Sequence, residues 1–165
     1  MDLILWRHAE AEDGLDDLQR ALTPKGQRQA AQMAQWIQKY LPATAPATLR
    51  ILVSPAVRTQ QTAQALGWTF ETVDTLRPGA MPEALLQAAI ERMPLQVSGQ
   101  VLIVGHQPTL GALAAQLLTG QAGHLSVRKG GVLWLRLGAQ QSTLQGTATN
   151  LSSACLLAAM VPGML

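Results

Sequence analysis

The sequence has little of several residue types that mark large classes of protein. Its single cysteine, Cys155, cannot form an internal disulfide or supply a zinc site alone. Aromatic residues make up only 4% of the chain, and no Lys/Arg run indicates nucleic-acid binding. No apolar run is long enough to span a bilayer, and the short run at 3–6 is interrupted by Arg7. We therefore expect a soluble cytoplasmic protein that has neither a nucleic-acid nor a membrane partner.

Charged residues are also scarce, at 13%, whereas hydrophobic residues make up 48% of the 165 residues. A chain of this length and composition is large enough to bury a core, which excludes an intrinsically disordered protein. Length and the absence of a linker predict one domain over residues 1–165. The net charge of +2 permits only a modest attraction for anionic substrates.

Hydrophobic periodicity predicts an alternation of strands and helices. Thr23 and Pro24 have the residue types that favour a helix start, and apolar residues then recur at helical spacing to about Leu41. Alternating strands and helices are typical of an α/β fold with a largely parallel sheet. We predict strands at 3–7, 49–53, 69–73, 100–105 and 131–137, and helices at 24–41, 56–66, 83–93 and 106–118.

The pattern in the last part of the chain predicts that the sheet is not wholly parallel. Residues 142–151 are expected to pair with the strand at 131–137 as a meander, and the apolar tail after them has no clear pattern. The expected architecture is therefore a three-layer α/β/α sandwich with a mostly parallel, partly mixed sheet.

Polar residues follow three of the predicted strands at the point where each strand ends. Arg7 and His8 end the first strand, Ser54 ends the second with Arg58 one helical turn further on, and His106 follows Gly105. Ligands of open α/β sheets bind beyond the carboxyl ends of the strands. We therefore expect two histidines and two arginines to lie in one pocket.

These side chains suit phosphoryl chemistry. Arginine presents a planar fork that matches phosphate oxygens, and a neutral histidine can attack as a nucleophile. No carboxylate cluster lies at these strand ends and no P-loop is present, so neither a metal nor a cofactor is predicted. A zinc site from His8, His106 and His124 is a remote alternative, because the three lack a close-spaced ligand pair.

Four ordered segments carry a family resemblance. LWRHAEAE, LTPKGQRQA, LVSPAVRTQQTA and LIVGHQPTLGALA closely resemble the histidine phosphatase (phosphoglycerate-mutase-like) superfamily over about residues 3–118. The short length, RALTPKG and LRPGAMPEALL look most like the SixA-type phosphohistidine phosphatases.

The resemblance implies a role for each residue. His8 would be the nucleophile that becomes phosphorylated, Arg7 and Arg58 would bind the phosphoryl oxygens, and His106 would donate a hydrogen bond to them. Arg20 would line the entrance and bind substrate, unless it only caps local structure; Lys129 is a weaker candidate. The implied partners are phosphate or another oxyanion and a phosphorylated protein, such as a histidine phosphotransfer domain.

The sequence departs from the family pattern in two places. Ala9 stands where the family has glycine. The acid that protonates leaving oxygens in many members is also missing, because neither Asp74 nor Glu83 fits its place. Imidazole, whose conjugate acid has a pKa of roughly 6.5, needs less acid help than an alkoxide. The missing acid thus favours a phosphohistidine substrate, although Glu10, Glu12 or Asp13 remain alternative proton donors.

Two other functions stay open at this point. A small-molecule phosphomonoesterase would use the same His8 nucleophile, and a non-catalytic module would bind phosphate without forming a phosphoenzyme.

Overall fold

The computed structural model of the chain describes residues 1–41, 48–93, 99–138 and 154–164. Six strands and four α-helices are found in these ranges. They are β1 (Asp2–Arg7), α1 (Pro24–Tyr40), β2 (Leu49–Val53), α2 (Val57–Gln64), β3 (Glu71–Thr72), α3 (Pro82–Glu91), β4 (Gln100–Gly105), α4 (Thr109–Thr119), β5 (Val132–Leu137) and β6 (Ala154–Met160). Two short 3₁₀ helices lie at Asp17–Gln19 and Asp74–Leu76.

All six strands form one mixed sheet in the order β3-β2-β4-β1-β5-β6. The β1–β4, β2–β4 and β2–β3 pairs are parallel, and β5 is antiparallel to both β1 and β6. The mostly parallel, partly mixed sheet predicted from the sequence is thereby confirmed. Its consequence for the site is that β2, β4 and β1 are neighbours whose carboxyl ends meet at one edge.

Alternate residues of the central strands pack on opposite faces of the sheet, as the pleat of a strand requires. Leu3 and Leu5 belong to the cluster that includes residues of α3 and α4, whereas Ile4 and Trp6 belong to the cluster on the side of α1 and α2. Both faces of β1 are therefore buried, which explains why its sequence is continuously apolar. The sheet thus lies between α3 and α4 on one face and α1 and α2 on the other, which are the three predicted layers.

The prediction that residues 142–151 pair with the strand at 131–137 is wrong. Residues 142–151 lie outside the described residues, but β5 pairs with β1 on one edge and with β6 on the other. The partner of β5 is thus Ala154–Met160, in the tail that showed no periodicity. The reason is that β6 lies at an edge of the sheet and leaves Leu156 and Leu157 exposed, so apolar and polar residues do not alternate along it.

The start of α1 docks on the segment that follows β1. Thr23 caps the helix through its side chain, which accepts a hydrogen bond from the Gly26 amide, as predicted. A Cβ on Gly26 would lie 1.9 Å from the carbonyl oxygen of Glu10. Glycine is therefore needed at this position for close approach of two backbones. The contact fixes the chain just after His8.

Among the described helices, none has the length and hydropathy needed to cross a membrane. The loop predicted after α1 falls on residues 42–48, of which 42–47 lie outside the described residues.

Candidate active site

The carboxyl ends of β1, β2 and β4 bring the predicted polar residues together. Arg7 lies opposite Gly105 in the parallel pairing, and the His8 amide donates to the Gly105 carbonyl at 3.0 Å. The Ser54 amide donates to the Val104 carbonyl at 3.1 Å. Beyond these hydrogen bonds the strands diverge into loops, and the rings of His8 and His106 lie 5.3 Å apart between centroids.

His8 is held in one tautomer by its neighbour. Its Nδ1 lies 2.7 Å from the Ala9 carbonyl oxygen, which can only accept, so Nδ1 carries the proton of the neutral ring. Nε2 therefore holds the lone pair. This decides which nitrogen is available to attack, a point the sequence leaves open.

Burial keeps His8 neutral. Its side chain is almost fully buried, and desolvation, followed by the charges of the nearby arginines, lowers its pKa to about 4 despite the opposing hydrogen bond to Ala9. A neutral imidazole is the nucleophilic form. The arginines that would bind a phosphoryl group thus also keep its acceptor unprotonated.

His106 lies beyond β4 with both ring nitrogens in contact with neighbours. The Arg58 guanidinium can only donate, so the contact of 3.4 Å from its Nη2 leaves Nδ1 of His106 as the acceptor. Nε2–H then donates to Ser54 Oγ at 2.8 Å. Burial, and then the His8 and Arg58 charges, lower the pKa of His106 to about 3.

Arg58 lies in the first turn of α2 and has only 5% of its side chain exposed. Its Nη2 donates to Asp17 Oδ2 at 2.8 Å, and its Nη1 donates to the Asp17 carbonyl oxygen. Because a buried guanidinium requires a counter-charge, this carboxylate stabilises Arg58. No motif or spacing in the sequence singles out Asp17.

Arg7 extends toward the loop before β5. Its Nη1 donates to the Val127 carbonyl oxygen at 2.6 Å, whereas its buried Nε has no hydrogen-bond partner. Buried donors are rarely left without a partner, and those that are often belong to functional sites. An oxyanion between Arg7 and Arg58 would supply the missing acceptor.

Ala9, the residue that departs from the family pattern, is fully buried and causes no backbone strain. No non-glycine residue in the described ranges has a positive φ. The Ala9 amide donates to Thr62 Oγ1 at 3.1 Å, and Thr62 donates to the Arg58 carbonyl at 2.7 Å. Thr62 therefore links the segment after His8 to the helix that carries Arg58.

Arg20, predicted to line the entrance, is bound to its own loop. Its Nε donates to the Glu12 carbonyl at 2.6 Å and its Nη1 to Asp17 Oδ1 at 2.9 Å. Its Nη2 lies 3.9 Å from Asp13. Arg20 and Arg58 therefore pair with the same carboxylate, that of Asp17. Lys129 is exposed, one residue before the Gly130 amide that donates to the His8 carbonyl.

Three of the acids considered as proton donors lie beside basic side chains outside the group of four pocket residues. Glu10 binds Lys25 Nζ at 3.0 Å, and this hydrogen bond lowers the pKa of its carboxyl. Asp13 is exposed beside Arg20, and Asp74 is paired with Arg77. Of the acids in the described ranges, Asp17 is the one that hydrogen-bonds to a pocket residue. The described residues contain no group of three or more His, Cys, Asp and Glu side chains suited to a metal ion.

The lowered pKa values predict how stability depends on pH. Between the unfolded-state pKa of roughly 6.5 and the native values, the unfolded chain binds more protons than the native one. The contribution of His8 and His106 to the free energy of unfolding should therefore be present above pH ~6.5 and fall toward pH ~4. Urea unfolding across this range, with imidazole titration by NMR, measures it.

A variant with both histidines replaced by asparagine should lose most of this pH dependence. Native imidazole pKa values at or above 6.5 for the two rings would contradict the prediction.

Comparison with known proteins agrees with this geometry. The profile of the histidine phosphatase superfamily (branch 1) matches residues 3–79. A phosphohistidine phosphatase SixA homolog of Haemophilus influenzae is 35% identical over 126 residues, covering 71% of this chain and 77% of that protein. The chain belongs to the histidine phosphatase superfamily.

Solved structures of SixA-type proteins share the fold of this histidine phosphatase. A putative phosphohistidine phosphatase SixA from Nakamurella multipartitia superimposes with a TM-score of 0.75 at 29% identity, covering 98% of this chain and 96% of that one. The protein histidine phosphatase SixA complexed with tungstate gives a TM-score of 0.76 at 23% identity and covers 98% and 97%. The expected SixA-type, phosphoglycerate-mutase-like fold and the assignment as a hydrolase are thereby confirmed.

Proposed function

We propose that this histidine phosphatase removes the phosphoryl group from a phosphohistidine of a protein, through a covalent intermediate on His8 and without a metal. The observation that supports this most directly is the state of His8. Its Nδ1–H is bound to the Ala9 carbonyl, its Nε2 lone pair is free, and Arg7 and Arg58 flank it. A neutral nucleophile beside two fixed cations is the arrangement that phosphoryl transfer requires.

The reaction would have two steps. In the first, His8 Nε2 forms a bond to phosphorus as the P–N bond of the substrate breaks, and the electron pair of that bond leaves with the substrate imidazole. In the second, water attacks the phosphoryl group, and Nε2 recovers its lone pair as orthophosphate is released. Arg7 and Arg58 would hold the phosphoryl oxygens in both steps, and the unpartnered Arg7 Nε supports this role.

His106 would assist by proton uptake. Its Nδ1 accepts from Arg58 and its Nε2–H donates to Ser54, so the neutral ring has no free N–H to offer an oxyanion. Burial and neighbouring positive charge depress its pKa, and a bound phosphoryl dianion opposes that second effect. A proton on Nδ1 would then be donated to a phosphoryl oxygen.

The surroundings of Asp17 favour P–N over P–O cleavage. Ester hydrolysis at a poor leaving group benefits from a general acid by roughly 10²–10⁴-fold. The Arg58 hydrogen bond lowers the pKa of Asp17 and keeps it ionised, so it does not donate a proton at neutral pH. Substrates that need such a proton are therefore disfavoured.

We also infer that residues 1–165 form one domain, because all the described strands between Asp2 and Met160 belong to one sheet. The partner that carries the phosphohistidine would dock at the open carboxyl edge of this sheet.

The test compares three substrates in the presence of a chelator: a phosphohistidine protein, a phosphoserine peptide and an aryl phosphate. We expect kcat/KM for the phosphohistidine protein to exceed that for the phosphoserine peptide by about 100-fold or more. Equal or faster ester cleavage would instead indicate a phosphomonoesterase. Activity lost to the chelator and restored by a metal would contradict metal independence, and phosphate binding without turnover would indicate a binding module.

A further inference from the structure

Imidazole is a good leaving group only while its second ring nitrogen carries a proton. The departing species is then neutral imidazole, whose conjugate acid has a pKa of roughly 6.5. Without that proton the ring would leave as an anion, which is a much stronger base. A site for phosphohistidine therefore needs an acceptor that retains the proton on the nitrogen remote from phosphorus.

Asp17 is a carboxylate acceptor at the edge of the pocket. Its Oδ2 binds Arg58 Nη2, and the same Nη2 lies 3.4 Å from His106 Nδ1, so the carboxylate lies next to the phosphoryl pocket. Its side chain is nevertheless 51% exposed, which places it at the boundary between pocket and solvent. A histidine presented by another protein can therefore reach this carboxylate from solvent.

The position of the Asp17 carboxylate is fixed from both sides. Arg20 Nη1 binds its Oδ1 at 2.9 Å, and Arg20 Nε ties the same loop to the Glu12 carbonyl. On the pocket side, Arg58 Nη1 donates to the Asp17 carbonyl oxygen. Each carboxylate oxygen still has acceptor capacity, because an ionised carboxylate offers about four lone-pair sites.

We propose that Asp17 accepts a hydrogen bond from the protonated remote nitrogen of the substrate imidazole and thereby selects phosphohistidine over phosphate esters. This inference rests on the function proposed above. In the transfer step, His8 Nε2 forms the new P–N bond while the old one breaks. The electron pair goes to the leaving nitrogen, and the proton stays on the nitrogen bound to Asp17. The substrate imidazole thus leaves neutral.

The same contact predicts a dependence on pH. The charged groups that contact Asp17 are Arg58 on α2 and Arg20 on its own loop. Asp13 lies on the far side of Arg20, and His106 is the pocket histidine that interacts electrostatically with Asp17. The Arg58 hydrogen bond keeps the pKa of Asp17 low, so the carboxylate is already charged over the whole range in which an imidazole titrates. A fixed negative charge raises the pKa of a bound imidazolium, and the productive protonated substrate persists to higher pH.

The test is Asp17→Asn, which keeps a side-chain oxygen for Arg58 and removes the charge. At pH 8 we expect kcat/KM for a phosphohistidine protein to fall about tenfold. In the pH profile of kcat/KM, the fall on the alkaline side should begin about one pH unit lower than in the wild type. Cleavage of an aryl phosphate, whose leaving group needs no proton, should stay within about twofold. Orthophosphate affinity should be unchanged or tighter, since a negative charge beside the anion is gone.

Asp74→Asn is the matched control, because Asp74 is an exposed aspartate paired with Arg77. It should leave both substrates and the pH profile unchanged. Equal losses for both substrates, or weaker orthophosphate binding, would mean that Asp17 only supports Arg58 and would overturn the inference. An Asp17→Asn profile identical to the wild type would overturn it as well. Failure of the proposed function is distinct, because the wild type itself would then not prefer phosphohistidine.

Discussion

Replacing His8 with alanine is expected to lower kcat/KM for the phosphohistidine substrate by about 10⁴-fold or more, because the atom proposed to form the covalent bond is removed. The wild type should carry a transient phosphoryl group that the variant lacks. Since a P–N bond is labile in acid, the reaction would be quenched with alkaline detergent and the protein analysed by mass spectrometry and ³¹P NMR. The phosphoryl group should reside on Nε2, because Nδ1–H is bound to the Ala9 carbonyl.

His124→Ala is the matched control, since His124 is exposed on the loop before β5. It should retain wild-type activity. Removal of His8 also empties part of a buried site, so the free energy of unfolding of both variants should be compared. A folded His8→Ala protein with substantial turnover, or a phosphoryl group on another residue, would disprove the proposed role.

Arg58→Ala is expected to give the second largest effect, a loss of about 10³-fold in kcat/KM. Removing one fixed donor from a developing oxyanion typically reduces kcat by 10²–10³-fold, and Arg58 also supplies a charge. Arg58→Lys retains the charge but lacks the planar fork that contacts Asp17 and His106 together. We therefore expect Lys to recover only part of the loss. Steady-state kinetics and tungstate affinity measure both variants.

Arg92→Ala is a suitable control, because Arg92 pairs with Glu71 and Glu91 rather than with a pocket residue. Since Arg58 is buried, thermal unfolding should first establish that its variants are folded at the assay temperature. If Arg58→Ala bound tungstate as tightly as the wild type, Arg58 could not be one of the two arginines that hold the oxyanion.

The four central site residues could be predicted because β1, β2 and β4 are short, apolar and parallel. A strand with both faces buried leaves polar groups a place only at its end, so Arg7, His8 and His106 had to emerge at the sheet edge. Arg58 follows from the same argument, because it lies in the first turn of α2. The family motifs add to this the assignment of roles, which remain predictions.

The partners of these residues could not be predicted. Asp17 is one of several acids on a polar loop, and no periodicity distinguishes it from Asp13 or Asp16. Val127 contributes only a backbone carbonyl, which any residue would supply. The position of Ser54 at a strand end could be predicted. Its hydrogen bond to His106 could not, because that bond depends on how the His106 ring is oriented. β6 was missed because an edge strand with exposed leucines lacks alternation.

The place of β1 in the sheet sets the order in which the site can be assembled. β1 contains residues 2–7, but its two neighbours are 100–105 and 132–137. The Val127 carbonyl that holds Arg7 also lies more than a hundred residues away in sequence. Contacts so distant in sequence form slowly and late. During synthesis β1 emerges first, yet in a nascent chain shorter than about 130 residues Arg7 lacks the Val127 carbonyl that holds it. A C-terminal truncation before β5 would therefore yield a chain without phosphatase activity, however intact its His8 motif.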